Sequence, residues 1–458
     1  MAGVRGANQL KKVAVVGFMG AGKTTAARAV GGIDTDDLIE KAAGKPIADI
    51  FRDDGEAAFR AHEEQAIVLA LGGGAVTRPA VRDALDDALT VWLDVDVDTC
   101  WERVRGSDRP LAQDEATFRR LYEERRALYA EVADVVARDL HDVALAAAGV
   151  HVERGALQKL GELVPGDGAV ALISDAHVAG IHGMDAQLAL GSRLAETHEL
   201  PAGEEAKTLV TLDRLWQELR LDRRGTIVAL GGGCTTDAAG YAAAAYLRGI
   251  AWVPVPSSLV AQVDAAIGGK TGIDLPQGKN LVGAFHWPAR TIIDPALLET
   301  LPEPVRHEGM SEVVKTGLLA GEPFWDLPDD ELVRRCAAFK AAVCLRDPHD
   351  HGERKMLNLG HTFAHALEAA AGYEGLTHGR AVALGLLAAL RLSGRDTGLV
   401  EDILKPAPVK VDRERAWDAL LRDKKGALRL VLLGDDGPQW DVAVPAEDVR
   451  RELDRLIA

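Results

Sequence analysis

The stretch TIVALGGGCTTD, residues 226–237, carries the most information about the fold. Thr226 to Leu230 form an apolar, β-branched run typical of a buried strand, and three glycines separate it from the start of a predicted helix. A strand, a glycine turn and a helix in this order let the backbone approach a pyrophosphate closely. A tight strand–helix packing turn is the alternative, because the run lacks the GxGxxG spacing.

The same alternation of strands and helices extends to both sides of this stretch. Apolar runs at Val170 to Ser174 and Trp252 to Pro254 alternate with helical segments, which predicts an open parallel sheet. Runs at Lys12 to Val16 and Thr90 to Leu93 predict a second α/β unit near the N-terminus, whereas helical patterns dominate after about residue 298. We therefore predict an α/β protein of three domains: an α/β domain at 1–149, an α/β domain at 150–297 and an all-helical domain at 298–458.

Composition excludes several classes of protein. The 458 residues, 47% of them hydrophobic, suffice for about three globular domains. A net charge of -17 argues against general binding to nucleic acid or anionic membranes but is compatible with small anionic substrates. The four cysteines have no CxxC spacing, and the sequence shows neither an apolar signal core nor a membrane-length apolar run. We therefore expect a cytoplasmic protein.

A second glycine-rich loop, GFMGAGKTT at residues 17–25, matches the pattern GxxxxGK[ST] between a predicted strand and a predicted helix. In such loops backbone N–H groups surround a phosphate. Lys23 would reach the outer phosphates, and the Thr24 hydroxyl could hold Mg²⁺. A plain glycine turn is the alternative, but the surrounding strand and helix favour phosphate binding.

Residues 11 to about 140 resemble shikimate kinase in GFMGAGKTT, IDTDDLIE, GEAAFRAHE, DRPL and ERRALY. The resemblance implies a kinase-like phosphate-loop domain that transfers the γ-phosphoryl group of ATP, with Mg²⁺, to shikimate. It implies that ATP is bound by Gly17, Gly20, Gly22, Lys23, Thr24, Thr25 and Arg109, Mg²⁺ by Thr24 and Asp34, and shikimate by Asp36, Arg60, Gly73, Gly74 and Arg125. Asp36 would also lie close to the attacking hydroxyl.

This kinase-like segment is shorter than the family pattern. The stretch from Lys23 to Asp34 leaves room for only about two helical turns after the loop. Glu63 to Gly72 is short for a helix plus a strand, and Ala127 stands where the family prefers proline. Two interpretations stay open: an active kinase, or a degenerate module that binds nucleotide or only supports its neighbour.

Histidines and one glutamate in the C-terminal half are candidates for a metal site. His361 and His365 lie four residues apart, so both occupy one face of a predicted helix. Glu312 and His378 are further candidates, and two histidines with one carboxylate would form an open zinc site. Spacing alone leaves open which histidines join Glu312, and a structural pair of histidines is the alternative.

Cationic residues are concentrated in the same half of this acidic chain. Lys270 and Lys279 stand in the glycine-flanked loops GGKTG and QGKN. Scattered solubilising charge is the alternative for any single lysine. The set favours a cage around a doubly anionic sugar acid: Arg248, Lys270, Lys279, Lys315, Lys340, Arg354, Lys424 and Lys425.

Residues 150–458 closely resemble 3-dehydroquinate synthase in four motifs: VPSSLVAQVDAAIGGKTGIDLPQGKNLVGAFH, EGMSEVVKTGLL, GERKMLNLGHTFAHALE and THGRAVALG. The resemblance implies a Rossmann-like NAD-binding domain at 150–297 and a metal-binding helical domain at 298–458. It assigns Zn²⁺ or Co²⁺ to Glu312, His361 and His378, and NAD to Asp175, Glu204, Lys207, Gly232, Gly233, Asp237, Ser257, Ser258 and Thr300. It assigns the substrate to Asp264, Lys270, Lys279, Asn280, Lys315, Lys340, Arg354, Asn358, His365 and one of Lys424 and Lys425, with Arg248 entering from the neighbouring subunit of a homodimer.

The implied reaction converts 3-deoxy-D-arabino-heptulosonate 7-phosphate to 3-dehydroquinate and phosphate, with NAD regenerated in each turnover. With the kinase, the chain would catalyse two non-adjacent steps of the route to chorismate. Another sugar phosphate cyclase and an NAD- and metal-dependent polyol dehydrogenase are the alternatives, and the dehydrogenase would accumulate NADH. The expected partners are small anionic sugar acids and ATP, not nucleic acid or a membrane.

Overall fold

The computed structural model describes residues 12–34, 68–107, 110–372, 375–423 and 428–458. These residues form two compact units. One unit comprises residues 151–340 and 347–458, and the other comprises the described residues between 9 and 150 together with 341–346. Within the described ranges, no helix has both the length and the apolar character that crossing a bilayer requires.

The N-terminal unit is a five-stranded sheet in the order β2-β3-β1-β4-β5, with every pair parallel. Its strands are β1 (Val13–Val16), β2 (Ile33–Asp34), β3 (Val68–Ala70), β4 (Leu89–Leu93) and β5 (Val135–Ala137). Its helices are α1 (Lys23–Ala29), α2 (Pro79–Leu85), α3 (Val97–Val104), α4 (Glu115–Val132) and α5 (Leu140–Ala147). Asp96, Asp114 and Asp139 begin α3, α4 and α5 by accepting hydrogen bonds from backbone N–H groups of the first turn. All four residues of the central strand β1 are buried, as expected for a parallel sheet covered on both faces.

The C-terminal unit combines a parallel sheet with a mainly helical part. Its strands are β6 (Val150–Val152), β7 (Val170–Asp175), β8 (Leu194–Leu200), β9 (Thr226–Gly231), β10 (Ala251–Pro256), β11 (Lys270–Leu275), β12 (Gly278–Phe285), β13 (Thr291–Ile293), β14 (Arg429–Gly434) and β15 (Gly437–Ala443). Its shorter and sheet-covering helices are α6 (Leu160–Leu163), α7 (Ala176–Val178), α8 (Met184–Leu190), α9 (Leu209–Glu218) and α10 (Gly233–Ala245). The later helices are α11 (Glu303–Ala320), α12 (Asp329–Arg346), α13 (His361–Ala370), α14 (His378–Leu392), α15 (Gly398–Leu404), α16 (Arg413–Asp423) and α17 (Ala446–Arg455).

The parallel sheet of this unit has the order β10-β9-β7-β8 and separates two apolar cores. Successive side chains of a strand point to opposite faces, so the residues of β7 and β9 divide between the cores. One core holds Ala171, Ile173, Ile227 and Ala229 with residues of α9 and α10, and the other holds Val170, Leu172, Val228 and Leu230 with residues of α6 and α8. The predicted open parallel sheet is therefore confirmed.

The helical character of the last third is also confirmed, with one addition. Helix α14 packs against both α11 and α13, and it is buried continuously from Ala381 to Leu390. The hairpin β14–β15 adds two antiparallel strands that the sequence analysis did not anticipate. Leu430 and Leu432 are buried while Arg429 is exposed, so the run LRLVLLG alternates as a strand and not with helical period.

Candidate active sites

Three side chains from three helices converge in the C-terminal unit. Glu312 lies in the middle of α11, and His361 and His378 are the first residues of α13 and α14. The Glu312 Oε1 atom is 3.5 Å from His361 Nε2 and 3.4 Å from His378 Nε2. One ligand atom of each residue lies within 4.8 Å of the others, which is compatible with a shared metal ion.

The surroundings of Glu312 fit a divalent cation. Its side chain is fully buried, and neither carboxylate oxygen accepts a hydrogen bond of ordinary geometry from the described residues, although the Lys315 ammonium contacts Oε2. Burial alone would raise the pKa of Glu312, but Lys315, His361 and His378 outweigh it and hold the pKa well below its ordinary value. A buried, charged carboxylate facing two imidazole nitrogens is a donor set typical of zinc.

The structure resolves which histidines join the glutamate. His361 Nδ1 lies 3.2 Å from the Leu359 carbonyl oxygen, so Nδ1 carries the proton and Nε2 keeps its lone pair toward Glu312. Burial lowers the pKa of His378, but Glu312 and Glu368 outweigh it and raise this pKa to about 10. His365 is exposed, and its ring centroid is 5.5 Å from that of His361. The cluster is therefore Glu312, His361 and His378.

Glycines set the spacing of the three helices. A Cβ atom on Gly379 would lie 2.4 Å from the Glu308 carbonyl oxygen of α11. A Cβ atom on Gly385 of α14 would lie 2.1 Å from the carbonyl oxygen of Gly360, the residue before α13. No side chain fits at either distance. The backbones of the ligand-bearing helices are thus in direct contact beside the metal candidates.

Two buried lysines and an aspartate lie next to this cluster. Lys340 Nζ is 2.9 Å from Asp264 Oδ1 and donates a hydrogen bond of 2.7 Å to the Asp264 backbone oxygen. Lys315 Nζ is 3.6 Å from the same Oδ1 atom. Burial raises the pKa of Asp264, but Lys315 and Lys340 outweigh it and lower this pKa. Burial lowers the pKa of Lys315, but Asp264 and Glu312 outweigh it and raise this pKa, so the group stays charged.

Two more of the predicted cage residues are anchored near the GGKTG loop. Arg354 is 3% exposed and donates to the carbonyl oxygens of Gly268 at 2.9 Å and Pro348 at 3.2 Å. Lys270, half exposed, forms an ion pair with Asp350. Both hydrogen bonds of the Arg354 guanidinium go to neutral backbone carbonyl oxygens. They therefore orient the group without neutralising its positive charge.

The glycine loop after β9 has the features of a phosphate-binding turn. Helix α10 begins at Gly233, and within the described residues no side chain caps its first N–H groups at Gly232. Ser257 donates its backbone N–H to the Gly231 carbonyl at 2.9 Å, and a Cβ atom on Gly232 would lie 3.5 Å from Ser258 Oγ. The predicted cofactor residues Gly232, Gly233, Ser257 and Ser258 are therefore neighbours.

A buried lysine joins the cofactor and substrate candidates. Lys207, 4% exposed, donates to Asp237 Oδ2 at 2.9 Å and to Asn280 Oδ1 at 2.5 Å. Lys279, the residue before Asn280, has its Nζ atom 2.6 Å from Glu204 Oε1. Residues assigned separately to NAD and to the substrate thus belong to one network.

Two carboxylates of this network were missed by the sequence analysis. Asp274 Oδ1 accepts a hydrogen bond of 2.7 Å from the Asn280 backbone N–H and lies 3.7 Å from Lys207 Nζ. Glu368 Oε1 lies 3.6 Å from both Lys279 Nζ and His378 Nδ1. In the sequence Glu368 looks like a surface residue of an amphipathic helix. Only the structure shows that its side chain is buried.

Other predicted residues lie apart from these contacts. Asp175 accepts hydrogen bonds from the backbone of His177 and Val178, and from Thr235 Oγ1 at 3.1 Å near the start of α10. Thr300 Oγ1 lies 2.8 Å from His182 Nε2, outside the network around Lys207. Asn358 and Arg248 are exposed. Lys424 and Lys425 lie outside the described residues.

The phosphate loop of the N-terminal unit lies between β1 and α1 as predicted. Gly20 has φ +82°, and a Cβ atom there would lie 2.4 Å from the Cys100 carbonyl oxygen, so only glycine fits. Lys23 donates to the Phe18 carbonyl at 3.0 Å, and the Thr24 hydroxyl contacts the Asp34 carboxylate directly. The two predicted Mg²⁺ ligands are therefore adjacent. Helix α1 has seven residues, the two turns that the shortened sequence predicts.

The described part of the proposed shikimate site is also assembled. Arg125 donates to the Gly73 carbonyl at 3.1 Å, and a Cβ atom on Gly74 would lie 3.8 Å from the Arg125 guanidinium. Arg103, which the sequence analysis missed, donates to the Gly20 and Ala21 carbonyls at 3.1 Å. Gly17, Gly22 and Thr25 lie in the loop and the first turn of α1, whereas Asp36, Arg60 and Arg109 lie outside the described residues.

Comparison with known proteins identifies the family of each segment. Family models match residues 19–151 (shikimate kinase), 197–308 (3-dehydroquinate synthase N-terminal) and 309–425 (3-dehydroquinate synthase C-terminal). The chain is 38% identical to the 3-dehydroquinate synthase of Bordetella pertussis (strain Tohama I), in an alignment that covers 67% of this chain and 95% of that protein.

Two solved structures resemble the C-terminal unit. One is a 2-deoxy-scyllo-inosose synthase complexed with carbaglucose-6-phosphate, NAD⁺ and Co²⁺, with 27% identity and a TM-score of 0.61. The other is ValA, a 2-epi-5-epi-valiolone synthase from Streptomyces hygroscopicus subsp. jinggangensis 5008 with NAD⁺ and Zn²⁺ bound, with 25% identity and a TM-score of 0.58. Each likeness covers 67% of this chain and 96% of the other chain. The chain therefore belongs to the 3-dehydroquinate synthase family and carries a shikimate kinase domain ahead of the synthase segment.

Proposed function

We propose that residues 150–458 convert 3-deoxy-D-arabino-heptulosonate 7-phosphate to 3-dehydroquinate and phosphate, using NAD and a divalent metal. The observation that carries the proposal is the convergence of Glu312, His361 and His378 beside the buried cations Lys315 and Lys340. A dehydrogenase needs only the metal cluster. A substrate with both a carboxylate and a phosphate also needs the buried lysines. The membership of the family supports the same reaction.

The residues present fit both cofactors. Glu312, His361 and His378 would hold Zn²⁺ or Co²⁺, and the loop Gly231–Gly233 with Ser257 and Ser258 would hold the NAD pyrophosphate. When bound, NAD supplies reversible hydride transfer and the metal supplies Lewis-acid polarisation of a substrate hydroxyl.

The chain's own residues bind and orient the substrate. Lys315, Lys340 and Arg354 are all buried and therefore act through a weakly screened field on substrate anions. Lys270, half exposed at the start of β11, and Lys279 in β12 add charge from one antiparallel hairpin, not from the two loops that the sequence predicted. A flexible sugar acid held at its carboxylate, phosphate and metal-side hydroxyl keeps one orientation through successive steps.

The N-terminal unit supports a second activity, ATP-dependent phosphorylation of shikimate. The contact between Thr24 and Asp34 provides a place for Mg²⁺ next to Lys23, and Arg125 at Gly73 provides a cation for the shikimate carboxylate. We propose that Asp36, Arg60 and Arg109 complete this site. ATP and small anionic sugar acids are then the ligands of the chain, and no nucleic acid or membrane is required.

The assembly that we propose is a homodimer through the synthase unit. Arg248 is exposed in a turn with φ +69°, and its neighbour Leu247 is also exposed at φ +51°. An exposed arginine in such a turn is accessible to a second subunit. Cys100, Cys234 and Cys336 are free thiols, which agrees with a reducing, cytoplasmic location.

The synthase proposal is tested by measuring phosphate release and NADH absorbance together. Purified full-length chain with catalytic NAD and Zn²⁺ should release phosphate from the heptulosonate without net NADH. Stoichiometric NADH from a polyol, without phosphate release, would establish a polyol dehydrogenase. Release from a sugar phosphate that lacks a carboxylate, in preference to the heptulosonate, would establish another cyclase.

The kinase proposal is tested by coupled ADP release in the presence of shikimate. Turnover that depends on both shikimate and Mg²⁺ would support it. ATP binding without shikimate-dependent turnover would establish a module that only supports its neighbour. Because the two assays share no substrate, each activity is judged independently.

A further inference from the structure

Glu368 is a buried carboxylate for which neither the family resemblance nor the sequence patterns assign a role. It lies on α13, seven residues after His361 and therefore on the same helix face about two turns away. Its side chain is 3% exposed. A carboxylate at such depth is costly unless charged partners compensate for its lost hydration. The charged groups that surround Glu368 therefore indicate what this carboxylate does.

The first partner of Glu368 is a candidate metal ligand. Glu368 Oε1 lies 3.6 Å from His378 Nδ1, while Nε2 of the same ring lies 3.4 Å from Glu312 Oε1. The imidazole is thus placed between two carboxylates, one at each nitrogen. The Nδ1 distance is about half an ångström longer than an ordinary N–H···O hydrogen bond, so a small rotation of either side chain completes one.

A neutral imidazole that binds a metal through Nε2 must keep its proton on Nδ1. In His361, the Nδ1–H group donates a hydrogen bond to the Leu359 backbone carbonyl oxygen at 3.2 Å. For His378 the corresponding acceptor is Glu368. We propose that Glu368 is a positioning residue that holds the His378 ring in the orientation that presents Nε2 to the metal, and so sets the metal affinity of the site.

The second partner of Glu368 is Lys279, which links the candidate metal ligands to the predicted cofactor residue Glu204. Glu368 Oε1 lies 3.6 Å from Lys279 Nζ, and Lys279 Nζ lies 2.6 Å from Glu204 Oε1. One carboxylate therefore contacts both a metal ligand and a lysine of the predicted cage. Lys279 keeps Glu204 as a partner when Glu368 is replaced, so the effect of a substitution falls chiefly on His378.

The proposal rests on the metal site of the proposed function, and it is tested with Zn²⁺ alone on the full chain. Competition with a chromophoric chelator gives the affinity of the wild type, E368Q and E368A. Orienting partners of metal-bound histidines typically contribute about 10- to 100-fold in affinity, so we expect a loss of this size in E368A. We expect a smaller loss, above about threefold, in E368Q, which keeps an acceptor oxygen but no charge.

The matched control is E452Q, because Glu452 is also 3% exposed and paired, here with Arg455 at 2.7 Å, but lies on α17. Its Zn²⁺ affinity should equal that of the wild type. Visible absorption of the Co²⁺-loaded chain provides a second reading: the band positions should shift in E368Q and not in E452Q, since these bands respond to the geometry and donor strength of the metal ligands. This reading uses E368Q alone and does not require E368A to fold.

Two outcomes separate this proposal from the function on which it rests. Tight Zn²⁺ binding by the wild type, with unchanged affinity and Co²⁺ spectrum in E368Q, would overturn the role of Glu368 and leave the metal site intact. Absence of tight Zn²⁺ binding by the wild type would overturn the metal site itself. A loss of affinity in E452Q equal to that in E368Q would show a general effect of removing a buried carboxylate and would also overturn the proposal.

Discussion

Replacing Gly379 by alanine should separate two metal-bearing helices without touching a ligand. The added Cβ atom would lie 2.4 Å from the Glu308 carbonyl oxygen and 2.7 Å from the Glu308 Cα atom. Ordinary contact requires a separation roughly 1 Å greater, and the nearest atoms belong to the backbone, so α11 and α14 must move apart by about that distance. Glu308 precedes Glu312 by one helical turn and Gly379 follows His378 directly, so the ligands move with the helices.

The expected loss is in activity more than in stability. Overpacking costs about 1–3 kcal/mol, but alanine in a helix recovers about 0.5–1 kcal/mol relative to glycine, which leaves a net destabilisation of about 0–2.5 kcal/mol. A misplacement of about 1 Å between reacting groups can cost about 100-fold in rate. We therefore expect kcat/KM for phosphate release at saturating Zn²⁺ to fall by about 100-fold in G379A.

Urea unfolding and the phosphate assay measure the two effects on the same preparation. The matched control is G180A, since a Cβ atom there meets no described heavy atom within 4 Å. Its stability should stay within about 0.5 kcal/mol of the wild type. Unchanged activity and Zn²⁺ affinity in G379A would refute the claim that direct backbone contact sets the spacing of the ligands.

Three further predictions concern other parts of the chain. Burial raises the pKa of Asp347, but hydrogen bonds from the backbone of His351, Gly352 and Arg354 outweigh it and lower the pKa to about 2. The stabilisation is therefore complete above the ordinary value of 3.8 and is lost as pH falls through 2, so the urea midpoints of wild type and D347N should differ at pH 6, differ less at pH 3 and converge only below about pH 2. K207M removes the buried partner of the half-buried Asp237 and should lose about 1.5–3 kcal/mol of unfolding free energy, whereas a loss below about 1 kcal/mol would contradict the pairing. T24V removes a proposed Mg²⁺ ligand and should lower kinase kcat/KM by about 10- to 100-fold, with phosphate release by the synthase as the internal control.

The sheets and the ligand-bearing helices follow from local sequence. Thr226 to Leu230 is an apolar run that can be buried only as a strand covered on both faces, and the glycines after it force a turn before α10. The loop before Lys23 is recognisable for the same reason, because glycine permits backbone shapes that other residues resist, whereas Lys279 lies in strand β12 and not in a loop.

The contacts between distant segments could not be derived from local patterns. The spacing of His361 and His365 makes both plausible metal ligands. Only the direction of α14 brings His378, and not His365, to Glu312 as the second histidine. Asp274 and Glu368 are ordinary acidic residues in sequence, and their importance arises from burial against Lys207 and Lys279. The strands β14 and β15 were missed because β14 is one short apolar run among helical segments and β15, GPQWDVA, is largely polar and exposed.

The assignment of the metal ligands can be checked by anomalous diffraction from crystals of the Zn²⁺-loaded chain. We expect a single strong zinc peak in the C-terminal unit, within about 2.0–2.2 Å of a Glu312 oxygen and of the Nε2 atoms of His361 and His378. A zinc peak bound by other residues, with these three side chains left uncoordinated, would contradict it.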